Sequence, residues 1–330
     1  MNYKFMGRTG IKVSAVAYGA MSFGGDADEA MSRALFKACR DAGVNHFDCA
    51  DIYAGGRSEE ILGRLIKDCR EEVVITSKAY FATSEDVNAM GASRRHIQFA
   101  IEASLRRLQT DRVDIYYVHR FDDRTPLEET LRALDDLVHR GKVVYLGASN
   151  FAAWQVAKAL GISAKEGLAP FACIQPMYNL VKRQAEAEVL PMALAEGLGV
   201  FPYSPLGGGL LSGKYAPGVR PEAGRLVVNK IYATRYGDEL NYDVAGRFTA
   251  FAKERGFHPA ALAAAWVGSH PAVTAPIVGA RNTEQLAPLL AAADIAMTPE
   301  LRAEISALSH QPPPATDRSE ERTPVNFGVR

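Results

Sequence analysis

A chain of 330 residues, 48% hydrophobic and 23% charged, can bury a large core, which excludes a disordered protein. Lysine plus arginine and aspartate plus glutamate both number 38, so there is no electrostatic case for nucleic acid or an anionic membrane. Cys39, Cys49, Cys69 and Cys173 lack metal-type spacing, and neither a leader-like start nor an apolar run of membrane-spanning length occurs, so the chain reads as a globular cytoplasmic protein.

Residues 3–13 alternate on either side of a Gly7–Gly10 turn and predict a β-hairpin. Val13–Ala20 follows as a buried strand ending in the small-residue loop Gly19–Gly25. From there strand and helix signals alternate. Helix Asp28–Ala42 leads to strand His46–Ala50, and helix Glu59–Lys67, opened by Ser58 as N-cap, to strand Val73–Ser77. Helix Arg94–Leu108 precedes strand Val113–His119, and helix Leu127–Arg140 starts behind Thr125-Pro126. Strand Val143–Ser149, helix Ala152–Leu160, strand Phe171–Gln175, helix Arg183–Glu196 and strand Val200–Ser204 come next. A long loop to about Asn241 separates these from helices Asp243–Arg255 and Ala260–Trp266, strand Val273–Val278 and helix Thr283–Ala292.

Eight strand–helix units with continuous apolar strands predict an α/β fold, a (β/α)8 TIM barrel over residues 1–330, with the hairpin in front and extra helices towards the C-terminus. A doubly wound sheet is the alternative, but Gly19–Gly25 does not match its G-x-G-x-x-G turn. The tail 311–330, opening near Pro312-Pro313-Pro314, has no periodicity and reads as extended or disordered.

In a parallel barrel the C-terminal strand ends share one mouth. Strand two brings Asp48 there, with Tyr53 just beyond; later strands bring Lys78, His119, Ser149-Asn150 and Gln175. Alone, each has a bland reading: a wall tyrosine, a solvated lysine, a core histidine, a helix cap. Their convergence from consecutive strands points instead to proton transfer by a phenol. Lys78 would lower the pKa of Tyr53, Asp48 would neutralise Lys78, and His119 would orient a carbonyl. No nucleophile–base pair and no metal spacing is evident. Reduction of a carbonyl by a general acid needs a hydride donor, so a nicotinamide or flavin is implied. Tyr203 could stack on such a ring. The loop Ser204, Pro205, Leu206, Gly209, Leu210 and Lys214 suits a pyrophosphate, and Gly279, Arg281 and Gln285 frame an anion site at a helix start.

These stretches resemble the aldo-keto reductase family: FDCADIYAGGRSEEILG (47–63), VDIYYVH (113–119), GKVVYLGASNF (141–151), YSPLGGGLLSGKY (203–215) and GARNTEQL (279–286). The opening Tyr3–Ser14 and Gly19-Ala20-Met21 fit too, and the likeness runs from about residue 3 to 310. The resemblance implies a tetrad of Asp48, Tyr53, Lys78 and His119, with Tyr53 the proton donor. It implies NADPH/NADP+ across the barrel mouth, reached by Gly19, Met21 and Asp48. Ser149, Asn150 and Gln175 would hold the carboxamide, Tyr203 would stack on the nicotinamide, and Ser204–Lys214 would wrap the pyrophosphate. Arg281 and Gln285 would take the adenosine phosphate end. The substrate implied is a small carbonyl or alcohol.

One position departs from the family's pattern. Leu289 stands where an asparagine near the adenine is common, which leaves NADH possible, while Arg281 argues for the 2′-phosphate. Phe23, Tyr80 and Phe121 lie in variable loops and are candidates for the substrate pocket; Phe81, Tyr232, Tyr236, Arg120, Arg124 and Arg225 are there as well. Two rivals stand beside the reductase: a cofactor-binding regulatory protein without turnover, and an aldolase using Lys78 as a Schiff base.

Overall fold

The computed structural model describes residues 1–219, 221 and 224–315. Strands β1 (Tyr3–Phe5) and β2 (Lys12–Ser14) pair antiparallel as the expected hairpin, Tyr3 opposite Ser14. Eight further strands are all parallel: β3 (Ala17–Gly19), β4 (His46–Asp48), β5 (Val74–Ala79), β6 (Val113–Val118), β7 (Val143–Ser149), β8 (Phe171–Gln175), β9 (Gly199–Val200) and β10 (Ile277–Val278). They neighbour one another in chain order from β3 to β9, with β10 beside β3. The N–H groups of Ala275 and Ile277 donate to the carbonyls of Val200 and Pro202 at 3.3 and 2.8 Å, so the two edges meet and the sheet curls into a (β/α)8 barrel.

The helices are α1 (Glu29–Asp41), α2 (Arg57–Ile66), α3 (Arg94–Leu108), α4 (Leu127–His139), α5 (Ala153–Glu166) and α6 (Val189–Glu196), then α7 (Arg225–Val228), α8 (Lys230–Tyr236), α9 (Glu239–Glu254), α10 (Pro259–Gly268), α11 (Thr283–Ala291) and α12 (Pro299–Ser306). Asp28, Ser93 and Asn282 cap α1, α3 and α11 by accepting from N–H groups three residues on. The extra C-terminal helix is α12, with Pro299 in its first turn. No helix among the described residues is long and apolar enough to cross a membrane.

Several boundaries differ from the sequence reading, for local reasons. The stretch Val13–Ala20 splits, because β2 turns to pair with β1 before β3 joins the barrel. Strands Val200–Ser204 and Val273–Val278 shrink to two residues each, since Pro202, Pro205 and Pro276 bring no N–H to a ladder. The stretch Arg183–Glu196 divides into a 3-10 turn, Gln184–Glu186, and α6. Helix α5 continues past Leu160 and stops only at the left-handed Gly167. Ser58 is not the cap of α2; Gly56, at φ 94°, takes that place, and the Ser58 hydroxyl donates to the Ala20 carbonyl at 2.7 Å. The loop before Asn241 holds α7 and α8, the second capped by Asn229. Residues 311–315 of the tail carry no regular structure, and 316–330 lie outside the described residues.

The hairpin determines which barrel end is free. Met6 and Val13 are fully buried with Ile115, Tyr117, Cys173 and Phe201 in an interior cluster. A Cβ on Gly199, at the start of β9, would come within 2.6 Å of the Met6 side chain, so Met6 is seated against the N-terminal strand ends. The chemistry is left to the opposite end.

Candidate active site

Asp48 closes β4 with its carboxylate almost wholly out of water. Its Oδ2 accepts from Lys78 Nζ at 2.6 Å, and its Oδ1 from Thr76 Oγ1 at 2.7 Å and Gln175 Nε2 at 2.9 Å. Burial alone would raise this carboxyl; the Lys78 charge and the three hydrogen bonds outweigh it and hold it below the usual range. Lys78, fully buried in β5, also donates to the Cys49 carbonyl at 2.6 Å. Its Nζ lies 5.1 Å from the centroid of the Tyr53 ring. A buried ion pair of this kind persists because further hydrogen bonds satisfy most of what the pair itself does not.

Tyr53 is half-buried on the turn after β4, and the His119 ring stands edge-on to it at 6.1 Å. Burial first, then the Asp48 carboxylate, pushes the phenol well above its ordinary value. Lys78 was expected to lower it; burial and the Asp48 carboxylate outweigh that and leave the phenol raised. His119 is pulled down to about 3 by burial and by Lys78, so its imidazole is neutral, and its Nδ1 has no hydrogen-bond partner among the described residues.

A hydrogen-bond chain extends this floor sideways. Ser149 Oγ donates to the Gln175 carbonyl at 3.0 Å, Asn150 Nδ2 to the His119 carbonyl at 2.9 Å, and Tyr203 OH to Asn150 Oδ1 at 2.7 Å. Asn150 and Ser204 both have φ 56°, unusual for non-glycine residues, and sit where β7 ends and the loop after β9 begins. Gly207, Gly208 and Gly209 follow with φ 57°, 69° and 101°, a tight left-handed run in which the Gly207 and Gly209 N–H groups donate to the Ser204 and Leu206 carbonyls at 2.9 and 3.1 Å.

These groups face one cavity of about 990 Å³. Asp48, Tyr53, His119, Ser149, Asn150, Gln175 and Tyr203 line its inner part, with Gly19 and Met21 on the β3 side. Ser204, Pro205, Leu206, Gly209 and Lys214 line the next stretch, then Gly279, Arg281 and Gln285 at the start of α11. Lys214 is depressed by burial and by neighbouring Arg281 and Arg225, so three cations crowd one end. Asp26 meets Arg281 at 3.1 Å and, less closely, Arg225 at 3.9 Å. Leu289 is buried and lines the same end, where it offers an apolar wall. No group of three or more metal-ligating side chains occurs among the described residues.

Four expected contacts fall elsewhere. Phe23 is fully buried against Tyr18, 5.6 Å between ring centres, because the loop after β3 folds into the core. Phe121 packs on Phe151 and Trp154 outside the cavity, and Tyr80 stands edge-on to Phe81 without lining it. Leu210 is fully buried in the core. The wall beside His119 is instead made by Phe81, 4.9 Å from that ring, with Ile52, Arg120, Ile231, Tyr232 and Arg235. Phe81, Arg120 and Tyr232 stand among the loop residues named from the sequence; Ile52, Ile231 and Arg235 do not, the last two because α8 arises inside a stretch without a helical signal.

A family model for the aldo/keto reductase family matches residues 15–310. The chain belongs to the aldo/keto reductase family. Among its aldo/keto reductase-like relatives, a probable voltage-gated potassium channel subunit beta of Oryza sativa is 38% identical over 96% of this chain and 99% of that protein. An uncharacterized oxidoreductase of Bacillus subtilis is 37% identical over 91% of this chain and 94% of its own length. The versiconal hemiacetal acetate reductase of Aspergillus parasiticus is 33% identical over 91% and 94%. Aldo/keto reductase membership supports oxidoreductase chemistry for this chain.

Proposed function

We propose that the chain is an NADPH-dependent oxidoreductase that interconverts a carbonyl and an alcohol, with Tyr53 as general acid and base. The observation that carries this reading is the buried Asp48–Lys78 pair beneath Tyr53 and a neutral His119, opening on the 990 Å³ cavity. The residues fit a nicotinamide dinucleotide: the crowded Lys214, Arg225 and Arg281 suit its phosphates, and the side-chain-free Gly208 and Gly209 leave room beside them. Ser149, Asn150 and Gln175 would hold the carboxamide, Tyr203 the ring face, and Arg281 with Gln285 the adenosine phosphate. When bound, that group supplies the hydride.

The chain's own residues manage the proton. With its pKa raised, Tyr53 keeps its proton throughout the neutral range. A carbonyl oxygen gaining alkoxide character is far more basic than a phenolate, so the proton passes from the Tyr53 hydroxyl to that oxygen. The phenolate left behind faces the Lys78 ammonium, which Asp48 holds in place. Neutral His119 offers an N–H to the same oxygen without adding charge. A protonated phenol favours the reductive direction, since the reverse needs phenolate.

Incubating the full chain with NADPH and a panel of aromatic aldehydes, dicarbonyls and keto sugars, while following the nicotinamide absorbance, tests the reading. Tyr53→Phe is expected to lower turnover at least about 10²-fold while NADPH binding persists. Unchanged turnover in that variant would remove the phenol from the mechanism. The channel-subunit names of the rice and Arabidopsis thaliana relatives favour a second reading, a cofactor-binding regulatory protein. Tight NADPH binding with no turnover of any carbonyl, or of any alcohol with NADP+, would put that reading in place of the first.

A further inference from the structure

A second cavity, of about 310 Å³, shares two walls with the first. The turn after β4 gives Ile52 and Tyr53 to the main cavity and Asp51 to the second; the loop after β5 gives Phe81 to the main cavity and Thr83 and Ser84 to the second. Helix α3 completes it with Arg95, His96, Arg106 and Arg107. Its volume equals about ten waters at the ~30 Å³ each occupies in the liquid, room for a small metabolite.

The lining holds polar atoms without partners. Asp51 is 2% exposed, and neither carboxyl oxygen has a hydrogen-bond partner among the described residues; the Ile52 N–H approaches without good geometry. His96 is 3% exposed with its Nε2 unpartnered. Arg107 and Lys78 act on Asp51 only through their charge, since each is hydrogen-bonded to another carboxylate. Glu59 is engaged by Arg107 Nε at 2.7 Å and by Ser77 Oγ, Lys78 by Asp48, and the Tyr116 hydroxyl is likewise buried without a partner. Burial, reinforced by Glu59, pushes the Asp51 carboxyl up to about 7, which a ligand cation would reverse. Two exposed arginines of the same cavity, Arg95 and Arg106, form no ion pair with any described residue. Among the described residues, one lining thus combines a buried carboxyl without a hydrogen-bond partner with two arginines outside any ion pair, Arg95 stacked on Phe99 at 4.9 Å, and Asp86 as a further acid, a set that suits both charges of one molecule.

We propose that this cavity is a second ligand site, taking a small zwitterion whose ammonium end meets Asp51 and whose carboxylate end meets Arg95 and Arg106. The occupant would be felt in the main cavity through the two shared walls, at Tyr53 from Asp51 and at His119 from Phe81. That consequence rests on the proposed reductase reading; the binding itself does not.

The test is calorimetric titration of the full chain, without cofactor or carbonyl, using 4-aminobutyrate, butylammonium and butyrate as matched probes. 4-Aminobutyrate is expected to bind, with each single-charge probe about ten-fold weaker or more. Asp51→Asn and, separately, Arg106→Ala should each lose a similar factor; Arg106 is a surface side chain, so its variant keeps the test alive if Asp51→Asn does not fold. No heat from any probe, equal binding of all three, or binding unchanged in either folded variant would overturn the site and leave a water-filled void. Because no turnover is read, a failed reductase assay leaves this result standing.

Discussion

Lys78 and Asp48 are each other's main compensation for complete burial, so removing one strands the other's charge. Lys78→Met is expected to cost about 3–5 kcal/mol in urea unfolding, beyond its effect on turnover; a loss under 1 kcal/mol would show that Thr76 and Gln175 alone hold Asp48. Acid should act through three groups of one sign. Asp48 is depressed below the ordinary 3.8 of an aspartate, so its stabilisation is lost only as pH falls below that. His46 and His119 fall from 6.5 to about 4 and about 3, so below pH 6.5 the unfolded chain takes up protons that the fold refuses. Asp51, raised to about 7, works the other way, stability falling as pH rises from 3.8 to 7. His46 is fully buried with both ring nitrogens unpartnered. His46→Leu should therefore shrink the stability lost between pH 6.5 and 5 by between about 1 and 2 kcal/mol, measured by urea unfolding at each pH. An unchanged loss would mean that His46 titrates normally. That Asp48, Tyr53, Lys78 and His119 gather in one place was legible because residues at and just beyond the C-terminal ends of neighbouring parallel strands share one barrel mouth. Phe23 and Phe121 were not, because no periodicity fixes where a loop aromatic points.

Helices α2 and α3 approach so closely that their sequences leave no room for a methyl group. A Cβ on Gly63 would lie 2.5 Å from the Leu108 carbonyl oxygen and 2.8 Å from that of Arg107, both backbone atoms that cannot rotate away. Gly63→Ala should lower stability by about 1–3 kcal/mol, read as a fall in Tm, even though alanine is the better helix former. A rise in Tm would mean that α3 moves freely at its C-terminus. The same contact shows what a single sequence conceals. Gly63 reads locally as a weak point in α2, whereas its role depends on a helix forty residues away. The amphipathic helices and the long strands β5 to β8 were legible, since period and length specify them. The strands β9 and β10 were legible in place but not in length, because Pro202 and Pro276 break the ladder and isolated hydrogen bonds, such as those from Ala275 and Ile277, cross the barrel seam. Likewise α7 and α8 depend on packing against the glycine loop, and α8 on its Asn229 cap, not on an amphipathic signal.

Across the whole molecule the formal charge is +0, yet that balance is uneven where it matters for a ligand. Lys214, Arg225 and Arg281 crowd one end of the main cavity, with Asp26 answering two of them. Such crowding destabilises the ligand-free fold slightly and is relieved by a phosphate, so the protein should be measurably more stable with a dinucleotide present. A ligand at 100 times its Kd adds about 2.7 kcal/mol, and the gain grows with affinity. At equal concentrations NADPH should therefore raise Tm more than NADH, because only NADPH carries the 2′-phosphate that Arg281 would meet. Arg281→Ala should bring the two responses together, mainly by reducing the NADPH shift, and added salt should narrow the gap in the native protein. Equal shifts for both dinucleotides before mutation would mean that the cations serve the pyrophosphate alone, and that the apolar wall at Leu289 sets the adenosine end instead.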